Sequence, residues 1–204
     1  MSDQSGVASK GGWLKWALVG VAIFGVAAVL YIIARASSKP ELDTDLKSVS
    51  RGEMKKLETP LEAAVAPPNA FQNAAGEPVR IADFKGKIVV LNLWATWCAP
   101  CVAEMPTLDA IAGDYQAQGL QVLTISQDNQ GEKQVDPFFA KRKFTHLKAW
   151  LDPENRFSLG YGTGMLPTTV LYGADGKEVA RVAGAMDWES KEGKALIAEA
   201  LKAA

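Results

Sequence analysis

The sequence predicts an α/β domain, a central mixed sheet flanked by helices, carried behind an N-terminal transmembrane helix. Three observations lead there. The β-branched-rich runs Ile88–Trp94 and Leu120–Ile125 bracket a breaker-poor segment from Val102 to Gln118 that closes at Gly119, the alternation that packs as right-handed parallel βαβ units. Further on, Thr168–Tyr172 and Glu178–Val182 flank Gly173-Ala174-Asp175-Gly176, an antiparallel hairpin with its turn. Near the start, Trp16–Ala34 is an unbroken run of apolar residues and glycine, long enough at ~1.5 Å per residue to cross a hydrocarbon core about 30 Å thick.

Taken in order, residues 1–12 are small and polar, a terminal tail. Residues 13–35 form the anchor: Lys15 is the only charge from Trp13 to Ala34, with Trp13 and Trp16 at one end and Tyr31 near the other, as in interfacial aromatic belts. Ala34-Arg35-Ala36 has the look of a signal-peptidase site, but the apolar run exceeds the ~7–15 residues of a signal, which favours a retained span. Residues 36–66, rich in Lys, Glu, Asp, Ser, Ala and Pro, read as a spacer. Residues 67–204 are the globular domain. It opens with a small hairpin, Phe71–Asn73 and Val79–Ile81 around the turn cluster Ala74–Pro78. After Ile125, Gly131 to Lys143 is expected to contain a helix starting near Asp136-Pro137, where proline suits a first turn. A short strand over Leu147–Leu151, a turn at Asp152–Asn155, a brief helix over Arg156–Tyr161 and a closing helix from Ser190 to Lys202 complete the domain.

The chain has 204 residues, 48% of them hydrophobic, and a net charge of −1. That balance gives no handle for nucleic acid. Its 2 cysteines fall together in Trp97-Cys98-Ala99-Pro100-Cys101, at the junction of strand and helix. Backbone N–H groups at a helix start are unpaired and the dipole there is positive, which favours thiolate over thiol. Cys98 is expected at or just before the first turn and exposed, with Cys101 one turn inward and shielded. In such a Cys-x-x-Cys pair the outer thiol pKa falls from ~8.5 into the range ~3.5–7.5. Cys98 would then attack a partner disulfide, and Cys101 would resolve the mixed disulfide. A zinc site needs four ligands, and the chain offers only these two cysteines and one histidine, His146, far along the sequence; no metal and no cofactor is expected. A purely structural bridge over so small a loop would stabilise little.

Trp97-Cys98-Ala99-Pro100-Cys101, with Glu104-Met105-Pro106, Leu166-Pro167-Thr168-Thr169 and Gly184-Ala185, resembles the thioredoxin superfamily. More narrowly, Asn92–Cys98, Glu104-Met105-Pro106, Gly164-Met165 and Trp188 resemble the membrane-anchored TlpA and ResA group of bacterial thiol:disulfide oxidoreductases, TlpA most closely. The resemblance implies a thioredoxin-like fold. It implies a cis Leu166–Pro167 bond facing the cysteines, with Leu166 and Pro167 meeting an extended substrate as an added strand does. It also implies a glutamate, here Glu104, that tunes the thiols and relays protons; a buried carboxylate holds its proton more tightly and can serve so. Cytosolic thioredoxins carry a buried aspartate where this chain has Asn92. Trp97 is read as an apolar rim for docking, Trp94 as core. Pro106 is expected to kink its helix, and His146 is read as a structural or surface residue.

For partners, the resemblance implies disulfide-containing extracytoplasmic proteins. A TlpA-like protein would keep copper-site cysteines of a copper chaperone or oxidase subunit reduced. A ResA-like one would reduce apocytochrome c. Either needs a transmembrane electron donor. The expected location is the bacterial inner membrane, single-pass, with the domain in the periplasm. Charge alone points the other way, since Arg35, Lys39, Lys47 and Arg51 after the span outnumber Lys10 and Lys15 before it; the expectation follows the resemblance. A copper-binding chaperone on the same fold is the rival, because thiolates suit Cu(I), though Sco-like chaperones use a wider Cys-x-x-x-Cys.

Overall fold

The computed structural model describes residues 25–26, 57–58, 64–162 and 164–202. Two compact units divide the chain, 1–41 and 42–204. Of the first, only Gly25 and Val26, both helical, are described. The predicted span over 13–35 otherwise lies outside the described residues, as does most of the spacer. Among the described residues no helix is long and apolar enough to cross a membrane.

The second unit is built on a mixed sheet in the order β1-β8-β7-β4-β5-β6-β2-β3. At its centre β4 (Ile88–Trp94) runs parallel to β5 (Leu120–Ser126) and antiparallel to β7 (Thr168–Tyr172). β6 (Ala149–Leu151) continues the parallel side. β8 (Glu178–Ala183) closes the predicted hairpin with β7. The opening hairpin is two residues a side, β2 (Phe71–Gln72) on β3 (Pro78–Val79). Asn73 Oδ1 sets its turn by accepting from the N–H groups of Ala75 and Glu77, both at 2.9 Å.

Strand alternation sorts the core into two layers. Ile88, Val90 and Trp94 of β4 face α1 (Ala99–Tyr115), α2 (Glu132–Arg142) and α4 (Lys191–Lys202). Val89, Leu91 and Leu93 face the other way, toward Phe71, Ile81 and Phe157 of α3 (Arg156–Leu159). By the same alternation Asn92 must point at α1.

Three expectations need correction. Helix α1 starts at Ala99 rather than Val102, because Pro100 fits a first turn; a 3₁₀ turn over Gln116–Gln118 then ends on Gly119, whose φ of 93° suits glycine. Helix α2 starts at Glu132 behind Gly131, and Pro137 lies inside it. Having no N–H, Pro137 cannot donate to the carbonyl four residues before it, near the helix start. Third, two residues of the stretch assigned to the spacer, Leu57 and Glu58 (β1), pair with Val182 and Arg181, so the sheet takes an edge strand from there.

Candidate functional site

The site lies beyond the carboxyl end of β4, where its neighbours differ in direction and open sheets leave a crevice. The turn after β4 is fixed by a buried acid that sequence reasoning missed. Asp128 accepts from the Thr96 N–H (2.9 Å), from Thr96 Oγ1 (2.7 Å) and from Ser126 Oγ (2.7 Å). A lone Asp in a Gln-Asp-Asn stretch carries no signal of this. Only the parallel β4–β5 pairing, Trp94 beside Ser126, puts it under Thr96.

Cys98 is the N-cap of α1, and its Sγ accepts from the Cys101 N–H at 3.3 Å. Cys98 and Cys101 are joined as a disulfide, Cα–Cα 5.3 Å. The expected exposure of Cys98 is wrong: it is 6% exposed and Cys101 0%. The N-cap side chain folds back over the first turn to reach Cys101, which hides it. The order of accessibility is as expected, but the contrast is small.

One turn past Cys101 on the same helix, Glu104 is 4% exposed. Its Oε1 accepts from Asn92 Nδ2 at 2.6 Å and its Oε2 from the Met186 N–H at 3.0 Å. Asn92 Nδ2 also donates to Thr169 Oγ1 at 2.9 Å. The Glu104 carboxylate of α1 therefore joins the central strand to the loop after β8, and Asn92 carries the connection on to β7. Thr107 ties the next turn to that loop by accepting from the Trp188 N–H at 3.2 Å.

The Leu166–Pro167 peptide bond is cis. Thr168 pairs with Leu93, so Pro167 sits at the same end of the sheet as the turn that carries the cysteines. Trp97 is 68% exposed, whereas Trp94 is fully buried, 5.0 Å from the Phe138 ring. Trp97 and Leu166 both line a cleft at this end of the sheet. His146 stands apart, packed over Gly113 on the far half of α1.

A closed cysteine pair capping the helix that follows the central strand of such a sheet, with a cis-proline at the same end, defines a thioredoxin-fold thiol–disulfide oxidoreductase. The comparisons agree. The AhpC/TSA family model matches residues 63–181. The ResA thiol-disulfide oxidoreductase of Geobacillus thermodenitrificans is 35% identical over 127 residues, 62% of this chain and 71% of the relative. That of Bacillus subtilis is 32% identical over 126 residues, 61% of this chain and 69% of the relative. Among solved structures, the exposed lipoprotein thioredoxin Etrx1 of Streptococcus pneumoniae superposes with a TM-score of 0.54 at 28% identity, covering 65% of this chain and 96% of that one. The chain belongs to the AhpC/TSA family, as a relative of the ResA thiol–disulfide oxidoreductases.

Proposed function

We propose that this oxidoreductase works as a reductant of disulfides in extracytoplasmic partner proteins, held at the bacterial inner membrane by residues 13–35. The Cys98 thiolate attacks one sulfur of a partner disulfide, and the partner's other sulfur leaves as a thiolate that takes up a proton. Cys101, giving up its proton, then attacks Sγ of Cys98 and expels the partner's second thiolate. Two electrons pass to the partner, and the Cys98–Cys101 disulfide is left behind. A transmembrane electron donor must recharge it. Glu104 takes the Cys101 proton in this reading, which its burial on the same helix one turn on supports. Trp97, Leu166 and Pro167 receive the partner chain.

The observation that carries this reading is Cys98 as N-cap, its sulfur accepting the Cys101 N–H, because that contact and the helix dipole favour negative charge on sulfur. The exposed lipoprotein thioredoxin among the solved structures supports an extracytoplasmic setting. Among partners, copper-site cysteines of an oxidase subunit or its copper chaperone come first on the TlpA-like motif. Apocytochrome c is the second reading, favoured by identity to ResA. Equilibration of the pair with glutathione tests the direction of flow. A potential toward the reducing end of the fold's range, about −270 mV, supports a reductant; one near −120 mV makes the protein an oxidant.

A further inference from the structure

Beside the cysteines lies a cleft of about 390 Å³, within the size range of pockets that take a ligand or a side chain, ~300–1,000 Å³. Its walls are apolar: Leu93 at the end of β4, Trp97, Leu159 of α3, Met165 and Leu166. Trp97, Leu159 and Met165 are 68%, 74% and 52% exposed, three large apolar side chains left open around one opening. Polar groups are few, and no described residue lining the cleft is charged. Among the polar ones is Asn155, whose buried Oδ1 has no hydrogen-bond partner among the described residues. Two covalent links join the cleft to the exchange site, since Trp97 precedes Cys98 and Leu166 precedes Pro167.

We infer that this cleft is a specificity pocket for one large, uncharged, aromatic side chain of the partner polypeptide, placed a fixed few residues from the partner's reacting cysteine. The inference rests on the disulfide-exchange reading and adds which partners it serves. A charged side chain would lose its hydration against walls that offer no counter-charge. A small one would leave the walls without contacts. An aromatic ring gains both from the Trp97 indole and from the Met165 thioether. Because successive side chains of an extended segment point to opposite sides, the positions on either side of the one that enters are turned away.

The test offers the dithiol form of the protein a peptide with one cysteine blocked as its mixed disulfide with 5-thio-2-nitrobenzoate. Exchange closes the Cys98–Cys101 disulfide and releases the peptide thiol and the coloured thiolate. Trp, Tyr, Leu, Ser, Asp and Lys are placed in turn at each of three positions on either side of the cysteine. The expected result is that Trp and Tyr react about tenfold faster than Ser or Asp at one position, with the positions beside it flat. Leu159→Lys and Met165→Lys change exposed side chains that folding does not depend on, and they should abolish that preference and raise the relative rate of the Asp peptides. A flat profile at every position, an aromatic preference at all positions alike, or a preference that survives both substitutions overturns the pocket while leaving exchange intact. Absence of release from every peptide overturns both.

Discussion

Asn92 on β4 donates from Nδ2 to Oε1 of Glu104 on α1 at 2.6 Å, tying the central strand to the helix that carries both cysteines. The contact is fully enclosed, with Asn92 0% and Glu104 4% exposed. Glu104→Gln keeps the shape and removes the ionisable group. Resolution of the mixed disulfide should slow by about a hundredfold, the low end for a lost acid–base group, and the pH profile of thiol alkylation should change. An unchanged profile in the folded variant removes Glu104 from the chemistry.

Asn92→Ala asks a different question of the same contact. It leaves the buried carboxylate without its donor from β4, which should lower stability by about 3 kcal/mol. Urea unfolding of the oxidised protein measures this; a loss below about 0.5 kcal/mol, the usual scatter for a surface change, would mean the contact contributes little.

Asp128 acts through the backbone that precedes Cys98. Asp128→Ala removes its bonds to Thr96 and Ser126, at a cost of about 3 kcal/mol. Asp128→Asn, retaining one acceptor oxygen, should restore part of the exchange rate lost in Asp128→Ala. Equal rates in the two variants would show that Asp128 supports the fold without positioning the cysteines.

Arg181 and Glu178 meet at 2.9 Å with side chains 20% and 5% exposed. The Arg181 guanidinium, its own proton held more tightly by the Glu178 hydrogen bond, also donates to the Tyr161 carbonyl at 3.0 Å. Tyr161 and Tyr172 hydroxyls are hydrogen-bonded to each other, and burial pushes both phenols upward. Arg181→Ala strands a buried carboxylate and should cost about 3–5 kcal/mol, whereas Arg181→Met with Glu178→Leu should recover most of that. Thermal unfolding of both variants decides the matter, and additive losses in the pair would contradict it.

Asp152 gives a pH test with a definite sign. Burial raises its pKa above the ordinary 3.8, more than the N–H groups of α3 that it accepts from can lower it. The folded state therefore binds this proton more tightly than the unfolded chain. The stability it contributes is complete below about 3.8, where both states hold the proton, and is lost as pH rises through the raised folded value. Asp152→Asn keeps an acceptor for the Phe157 and Ser158 N–H groups and cannot ionise. The stability difference, wild type minus variant, should fall as pH is raised from 4 to 7; a difference that stays constant contradicts the assignment.

Much of this was legible in the residues, and the reasons differ by element. β4, β5 and the β7–β8 hairpin announce themselves because buried strands need β-branched runs and hairpins need glycine at positive φ, as at Gly176 with φ 79°. The pairing of Asn92 with Glu104 was within reach. Strand alternation aims Asn92 at α1, and a three-residue step puts Glu104 on the face of Cys101. β1 was not legible, since two residues in a polar, proline-rich stretch carry no alternation. The start of α2 is hidden because proline favours a helix beginning, which points to Pro137, while nothing in Gly131-Glu132-Lys133 marks a cap. Asp128 and Asp152 act through contacts that only the folded topology creates. The burial of Cys98 depended on how its side chain turns at the N-cap, which spacing does not encode.

One measurement bears on the central claim above all others: the alkylation rate of each cysteine in the reduced, folded protein as a function of pH, resolved by peptide mass. A sulfur held at the head of α1 should give a Cys98 rate that reaches half its maximum well below the ~8.5 of a free thiol, with Cys101 unmodified at neutral pH. Two cysteines that react slowly and with the same pH profile would contradict the account.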